Sequence, residues 1–387
     1  MNARVIQGVV FLTVATAIVA LVHGYLWARL VRDPAWPAPY GRVGTVALVV
    51  LAAALPLSVV ALRTLPRPAV AALAWGMYIW MGLMFLLFIG LLATELPRLV
   101  ALALPGASSP ARRLFLSRAA AGLVGVFSLG ATAVAVRTAL ARVRVRRVNV
   151  AIPGLSPALA GMTLVQLTDI HVGPTIGRDF IEDMVRQTNA LAPDVVVITG
   201  DLVDGSVDEL AAMVAPLRDL RARHGVFFVT GNHEYYSGVD DWLAHLATLG
   251  VRVLRNERVT LGDGAAAIDL AGVDDWSARR FGHGHGADLP RALAGRDTGR
   301  PVVLLAHQPK AVAEAADHGV ALVLSGHTHG GQLWPWTWLV KLDQPYVAGL
   351  HRLRDTWIYV SQGTGYWGPP MRLGTVAEIT QVVLHPV

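Results

Sequence analysis

Five short polar blocks carry residue types that can do chemistry, and each follows an apolar run. Thr168-Asp169-Ile170-His171 follows residues 162–167, and Gly200-Asp201 follows 194–199. Gly231-Asn232-His233-Glu234 ends the run 226–230. His307 follows 302–306, and Ser325-Gly326-His327-Thr328-His329 follows 321–324. Carboxylates and neutral imidazoles are ligands that suit Mn, Fe or Zn. The candidate ligands Asp169, His171, Asp201, Asn232, His307, His327 and His329 are seven, too many for one ion with open positions. They fit two divalent ions sharing one carboxylate. Such a pair, roughly 3.5–4 Å apart, clamps the attacking and leaving oxygens of an in-line displacement.

Ligands at the ends of apolar runs need a sheet behind them. The runs 162–167, 194–199, 226–230, 267–272, 302–306 and 321–324 read as strands. Between them, Phe180, Ile181, Met184 and Val185 show helical spacing, as do Leu210, Val214 and Leu217, and Val239, Leu243 and Leu246. This alternation predicts an α/β domain over residues 148–387, with ligands at the edge where open α/β sheets bind them. Ahead of it, residues 1–147 hold four uncharged apolar runs, 5–27, 43–62, 69–94 and 119–136. Each is near the ~20 residues that cross a bilayer as a helix. The expected fold class is four N-terminal transmembrane α-helices followed by an α/β domain.

Composition agrees with that division. The chain is 54% hydrophobic, with a mean hydropathy of +0.48. Residues 1–147 carry 15 Arg against Asp33 and Glu95, a net +13, whereas 148–387 carry a net −7. The basic excess surrounds apolar segments, so it gives no argument for a nucleic-acid partner. The absence of cysteine excludes disulfides, thiolate-bound zinc and thiol nucleophiles. Four crossings of the cell membrane place the N-terminus and the domain on one side. Eight arginines on that side against seven opposite do not choose which. If the alternating stretch 142–145 belongs to the folded domain, the tally becomes four against seven and favours a domain outside; if it is a juxtamembrane polybasic segment, it favours the cytoplasm.

In this order, the five blocks resemble the calcineurin-like metallophosphoesterase family over about residues 160–385, and the four preceding spans resemble its membrane-anchored bacterial branch. The resemblance implies a four-layer α/β/β/α sandwich with a dinuclear site at the strand ends. It implies that Asp169, His171 and His329 hold one metal, that Asn232, His307 and His327 hold the other, and that Asp201 bridges. His233 would face the phosphate and protonate the leaving oxygen, with Glu234 orienting it. Hydroxide from a metal-bridging water would attack phosphorus in line, without a covalent enzyme intermediate. The stretch 361–372 also resembles that branch. Arg372 is a candidate phosphate contact there, or else a surface or structural arginine. Gly330-Gly331-Gln332 is expected to shape the site wall.

Two further features need a reading. His283 and His285 lie in a Gly-rich stretch that reads as an exposed loop, with an additional metal or substrate contact as the alternative. Trp334, Trp336 and Trp338 read either as a platform for the bilayer or a lipid tail, or as packing against the membrane helices. The expected function is metal-dependent hydrolysis of a phosphodiester, phosphomonoester or pyrophosphate, on a membrane-associated or lipid-linked substrate. The alternatives are a non-catalytic metal-binding scaffold of the same fold and a helical transporter regulated by the domain.

Overall fold

The computed structural model describes residues 3–65, 67–103, 109–264 and 266–387. It divides into two compact units, residues 1–137 with 368–371, and residues 138–367 with 372–387.

Among its described residues, the first unit has four helices long and apolar enough to cross a membrane. They are α1 (Ala3–Trp27), α2 (Ala38–Thr64), α3 (Arg67–Ala103) and α4 (Pro110–Ala139). Pro56 lies inside α2 and Pro97 inside α3, as a membrane helix tolerates. The two acids of this unit are neutralised locally. Glu95 accepts from Tyr25 Oη at 2.7 Å, Arg29 Nε at 2.6 Å and Arg98 at 3.0 Å, and Asp33 pairs with Arg29 and Arg32. His23 is buried and bonded to Trp80 Nε1 at 3.1 Å.

The second unit is a sandwich of two six-stranded sheets. Its strands are β1 (Arg144–Ile152), β2 (Thr163–Leu167), β3 (Val195–Ile198), β4 (Val226–Phe228), β5 (Val251–Val253), β6 (Glu257–Asp263), β7 (Ala266–Gly272), β8 (Val302–Leu305), β9 (Leu322–Ser325), β10 (Gly349–Leu353), β11 (Thr356–Val360) and β12 (Glu378–Pro386). Sheet A has the order β1-β12-β2-β3-β4-β5, and sheet B the order β10-β11-β9-β8-β7-β6. Strands β2 to β5 run parallel, as do β7, β8, β9 and β11.

Both faces of the central strands are buried, which explains their unbroken apolar sequences. Side chains alternate between two cores. Val195 and Val197 join Val303, Leu305, Leu322 and Leu324 between the sheets. Val196 and Ile198 pack outward with Ile181, Met184, Leu210 and Trp242. These come from α5 (Arg178–Ala190), α6 (Val207–Val214) and α8 (Val239–Thr248), with the short α7 (Asn232–Ser237) between α6 and α8. On the far face of sheet B, Val302, Leu304 and Val323 meet Leu289, Val312 and Ala315. Those come from α9 (Leu289–Ala292) and α10 (Val312–Asp317); α11 (Thr337–Asp343) follows β9. The layers are therefore helix, sheet, sheet, helix.

One boundary differs from expectation. A division after residue 147 would cut β1, which starts at Arg144 and pairs with β12 along its whole length. Arg144, Arg146 and Arg147 belong to this strand and Arg142 precedes it; Arg146 lies 3.5 Å from Glu378.

Candidate metal centre

Every candidate ligand sits just past a strand of one of the two sheets. Asp169 and His171 follow β2, Asp201 follows β3, and Asn232 follows β4. His307 follows β8, and His327 and His329 follow β9. The chain reverses sharply at each end. Among the ten non-glycine residues with positive φ in the described part of the chain, five are Asp169 (52°), His171 (56°), Asp201 (52°), His327 (70°) and His329 (50°). Such conformations are costly and concentrate at functional sites. A side chain at Gly326 would run into Asp169 and Thr168, and one at Gly231 into Asp201.

The structure brings the candidates into three overlapping groups: Asp169, His171 and His329; Asp201, His307 and His327; and Asp201, His171 and His233. Ring nitrogens face each other at hydrogen-bonding distance. His171 Nε2 lies 3.1 Å from His329 Nε2, and His327 Nδ1 lies 3.1 Å from His307 Nε2. Asp169 Oδ1 is 3.4 Å from His329 Nε2, and Asp201 Oδ2 is 3.1 Å from His307 Nε2. Asn232 Oδ1 is buried with no hydrogen-bond partner, an arrangement expensive unless a donor or a cation meets that oxygen.

This donor set fits divalent cations. Burial and the charge of His307 push His327 down to about 3. Burial, His171 and Arg372 hold His329 well below the usual histidine range. Both are neutral, the form that binds metal. Burial opposes charge on His307 too, but the Asp201 carboxylate holds it well above the usual range. A cation bound beside Asp201 would have to displace the His307 proton.

His233 is placed by a residue that sequence reasoning missed. Its Nδ1 lies 2.6 Å from Asp204 Oδ1, which also sits 3.1 Å from His171 Nδ1. Burial works against charge on His233, but Asp201, Asp204 and Glu234 outweigh it and raise the ring to about 9. A signal was available: Asp204 follows Asp201 by three residues in the same strand-end turn. Tyr236 and Trp367 meet the His233 ring edge-on, at 5.4 and 5.5 Å between centroids.

Two expectations need correction. Glu234 makes no hydrogen bond to His233. Its buried carboxylate accepts from the backbone N–H groups of Asp201, Leu202 and Gly231, so it shapes the Asp201 turn. Arg372 offers no face to a phosphate. It is fully buried, and its guanidinium donates to the carbonyls of Gly365, Gln362, Gly363 and His329 and to Thr375. It clamps the turn 362–365 behind His329. His283 is exposed, and His285 packs on Tyr235 and bonds Arg255. Gln332 grips the Trp367 backbone with its amide in both directions, at 2.8 and 2.9 Å.

A model of the calcineurin-like phosphoesterase family matches residues 162–331. A transmembrane protein with metallophosphoesterase domain from Bos taurus is 47% identical over 252 residues, 62% of this chain and 57% of its own length. An uncharacterized metallophosphoesterase from Helicobacter pylori is 42% identical, covering 64% of this chain and 65% of its own. Another, from Aquifex aeolicus, is 38% identical over 57% of this chain and 84% of its own length. The chain spans a little over half the length of the cattle relative. With its sandwich, its strand-end donors and these relatives, the chain belongs to the calcineurin-like metallophosphoesterase family. Its four apolar helices make it a membrane protein.

Proposed function

We propose that this chain is a membrane-anchored, metal-dependent phosphoesterase that hydrolyses a phosphodiester, phosphomonoester or pyrophosphate of a membrane-associated or cell-envelope substrate. The convergence of Asp169, His171, His329, Asp201, His307 and His327 at one sandwich edge carries this reading. Asp169, His171 and His329 would hold one ion, and Asn232, His307 and His327 the other, with Asp201 reaching both. Bound there, two divalent ions supply Lewis acidity and a water of lowered pKa.

The remaining work falls to the protein. With Nδ1 held by Asp204, His233 keeps Nε2 free to give a proton to the leaving oxygen. Asp201 and Asp204 keep that ring protonated. Glu234 holds the Asp201 turn, and Arg372 holds the turn behind His329. Tyr236 and Trp367 wall the His233 side with aromatic surface, which suits a leaving group with an apolar part.

Arg144, Arg146 and Arg147 lie within β1 and belong to the folded domain, so the tally becomes five against seven, which supports a domain outside the cytoplasm. Labelling of an Asp355→Cys variant of this cysteine-free chain by a membrane-impermeant maleimide on intact cells checks the side; labelling only after lysis refutes it.

Hydrolysis of bis(p-nitrophenyl) phosphate by the detergent-solubilised full chain with manganese tests the activity, beside Asp201→Asn. Metal-dependent turnover that collapses in the variant is expected. Metal binding without turnover on this or on membrane phospholipids would favour a scaffold role.

A further inference from the structure

The segment after the last ligand block presents an apolar surface that the metal site does not use. Helix α11 has no buried residue. Trp334 is 54% exposed, Trp336 48%, Trp338 60%, Leu339 50% and Leu342 83%. Water-facing surfaces seldom carry such a run without a function. The chain's two lysines, Lys310 and Lys341, both lie here. Lys341 Nζ sits 4.5 Å from the Trp338 ring centroid, and Lys310 Nζ 2.7 Å from Asp343 at the end of α11.

We propose that Trp334, Trp336, Trp338, Leu339 and Leu342 insert into the headgroup zone of a lipid bilayer. Tryptophan with lysine on one short amphipathic element is the composition of a water–lipid boundary, where indole rings sit at headgroup level and ammonium groups meet lipid phosphate. Lipid is the occupant the chain itself supplies. Only residues 140–143 separate α4 from β1, and four extended residues reach roughly 14 Å. The segment is also mechanically joined to the candidate site. Gln332, two residues before Trp334, holds the backbone of Trp367, whose ring edges His233. Leu333 bridges Leu373, and Trp334 N donates to Leu373 O at 2.9 Å. Bilayer contact would thereby bring the His233 wall to lipid-borne phosphoesters, a consequence that rests on the proposed activity, whereas the insertion itself does not.

The absence of cysteine permits a direct test. Leu342→Cys in the full chain, labelled with the environment-sensitive dye NBD, is reconstituted into phosphatidylcholine–phosphatidylglycerol vesicles. Asp355→Cys, at a side chain 98% exposed, serves as the reference. Insertion predicts blue-shifted emission from the Leu342→Cys label that is quenched by doxyl-labelled lipid and protected from iodide, with the reference behaving oppositely. Emission that matches the reference overturns the proposal. So does a label shielded from iodide yet indifferent to doxyl lipid, with the unlabelled Leu342→Cys variant cross-linking between chains, because a second copy then covers the surface. The same vesicles are assayed with bis(p-nitrophenyl) phosphate. Turnover with a solvent-like label leaves the phosphoesterase reading intact, and an inserted label without turnover does the reverse.

Discussion

The two sheets meet at the site with different chemistry. Sheet A, through the ends of β2, β3 and β4, supplies Asp169, Asp201, Asp204, Asn232 and two imidazoles, His171 and His233. Sheet B, through β8 and β9, supplies imidazoles alone: His307, His327 and His329. Among the candidate ligands the carboxylates therefore come from sheet A, and sheet B brings three further imidazoles. Changes on sheet A should disturb charge and proton transfer. Changes behind sheet B should act through geometry and stability.

The sharpest break of this contrast is Asp201→Asn, which removes the carboxylate shared by two of the three ligand groups. Turnover should fall by more than about 10³-fold, with loss of bound metal measured by elemental analysis. His233→Asn, on the same sheet, should lower kcat by about 10²–10³-fold. Bound metal should stay unchanged, which separates proton transfer from coordination.

Arg372→Met tests the other side. The variant leaves several buried carbonyls without a donor, a loss of about 3 kcal/mol in unfolding free energy measured with denaturant. Activity should decline through weakened His329 placement and recover in part with excess metal. The mildest expected effect is that of Asp204→Asn, a fall of about 10-fold in kcat. Its signature is the pH profile. Asp204 helps hold His233 protonated, so rate is lost as pH rises through the His233 pKa, and removing the carboxylate moves that limb to lower pH. An unmoved limb would mean that Asp204 serves the fold only.

The ligand-bearing strands are legible in the sequence because their apolar runs are short, β-branched and stopped by glycine or aspartate, and the membrane spans because they lack charge. Strand β12 is not, since it lies between β1 and β2, and its pairing of Arg144 with Glu378 links residues far apart in sequence. Edge strands such as β6 and β10 have mixed burial and give no clean period. Arg372 escapes a sequence reading because a buried guanidinium satisfied by carbonyls has no local signature. Glu234 misleads because adjacency to His233 resembles pairing, whereas α7 turns the two side chains to different partners.

The positive-φ conformations of the ligand residues are held by the protein's own amides. Asp169 N donates to Gly200 O at 3.0 Å, and His171 N to Asp201 O at 3.1 Å. Turns closed by backbone hydrogen bonds do not need a bound ion to hold them, so the full chain stripped by chelator is expected to keep the near-ultraviolet circular dichroism of its untreated form.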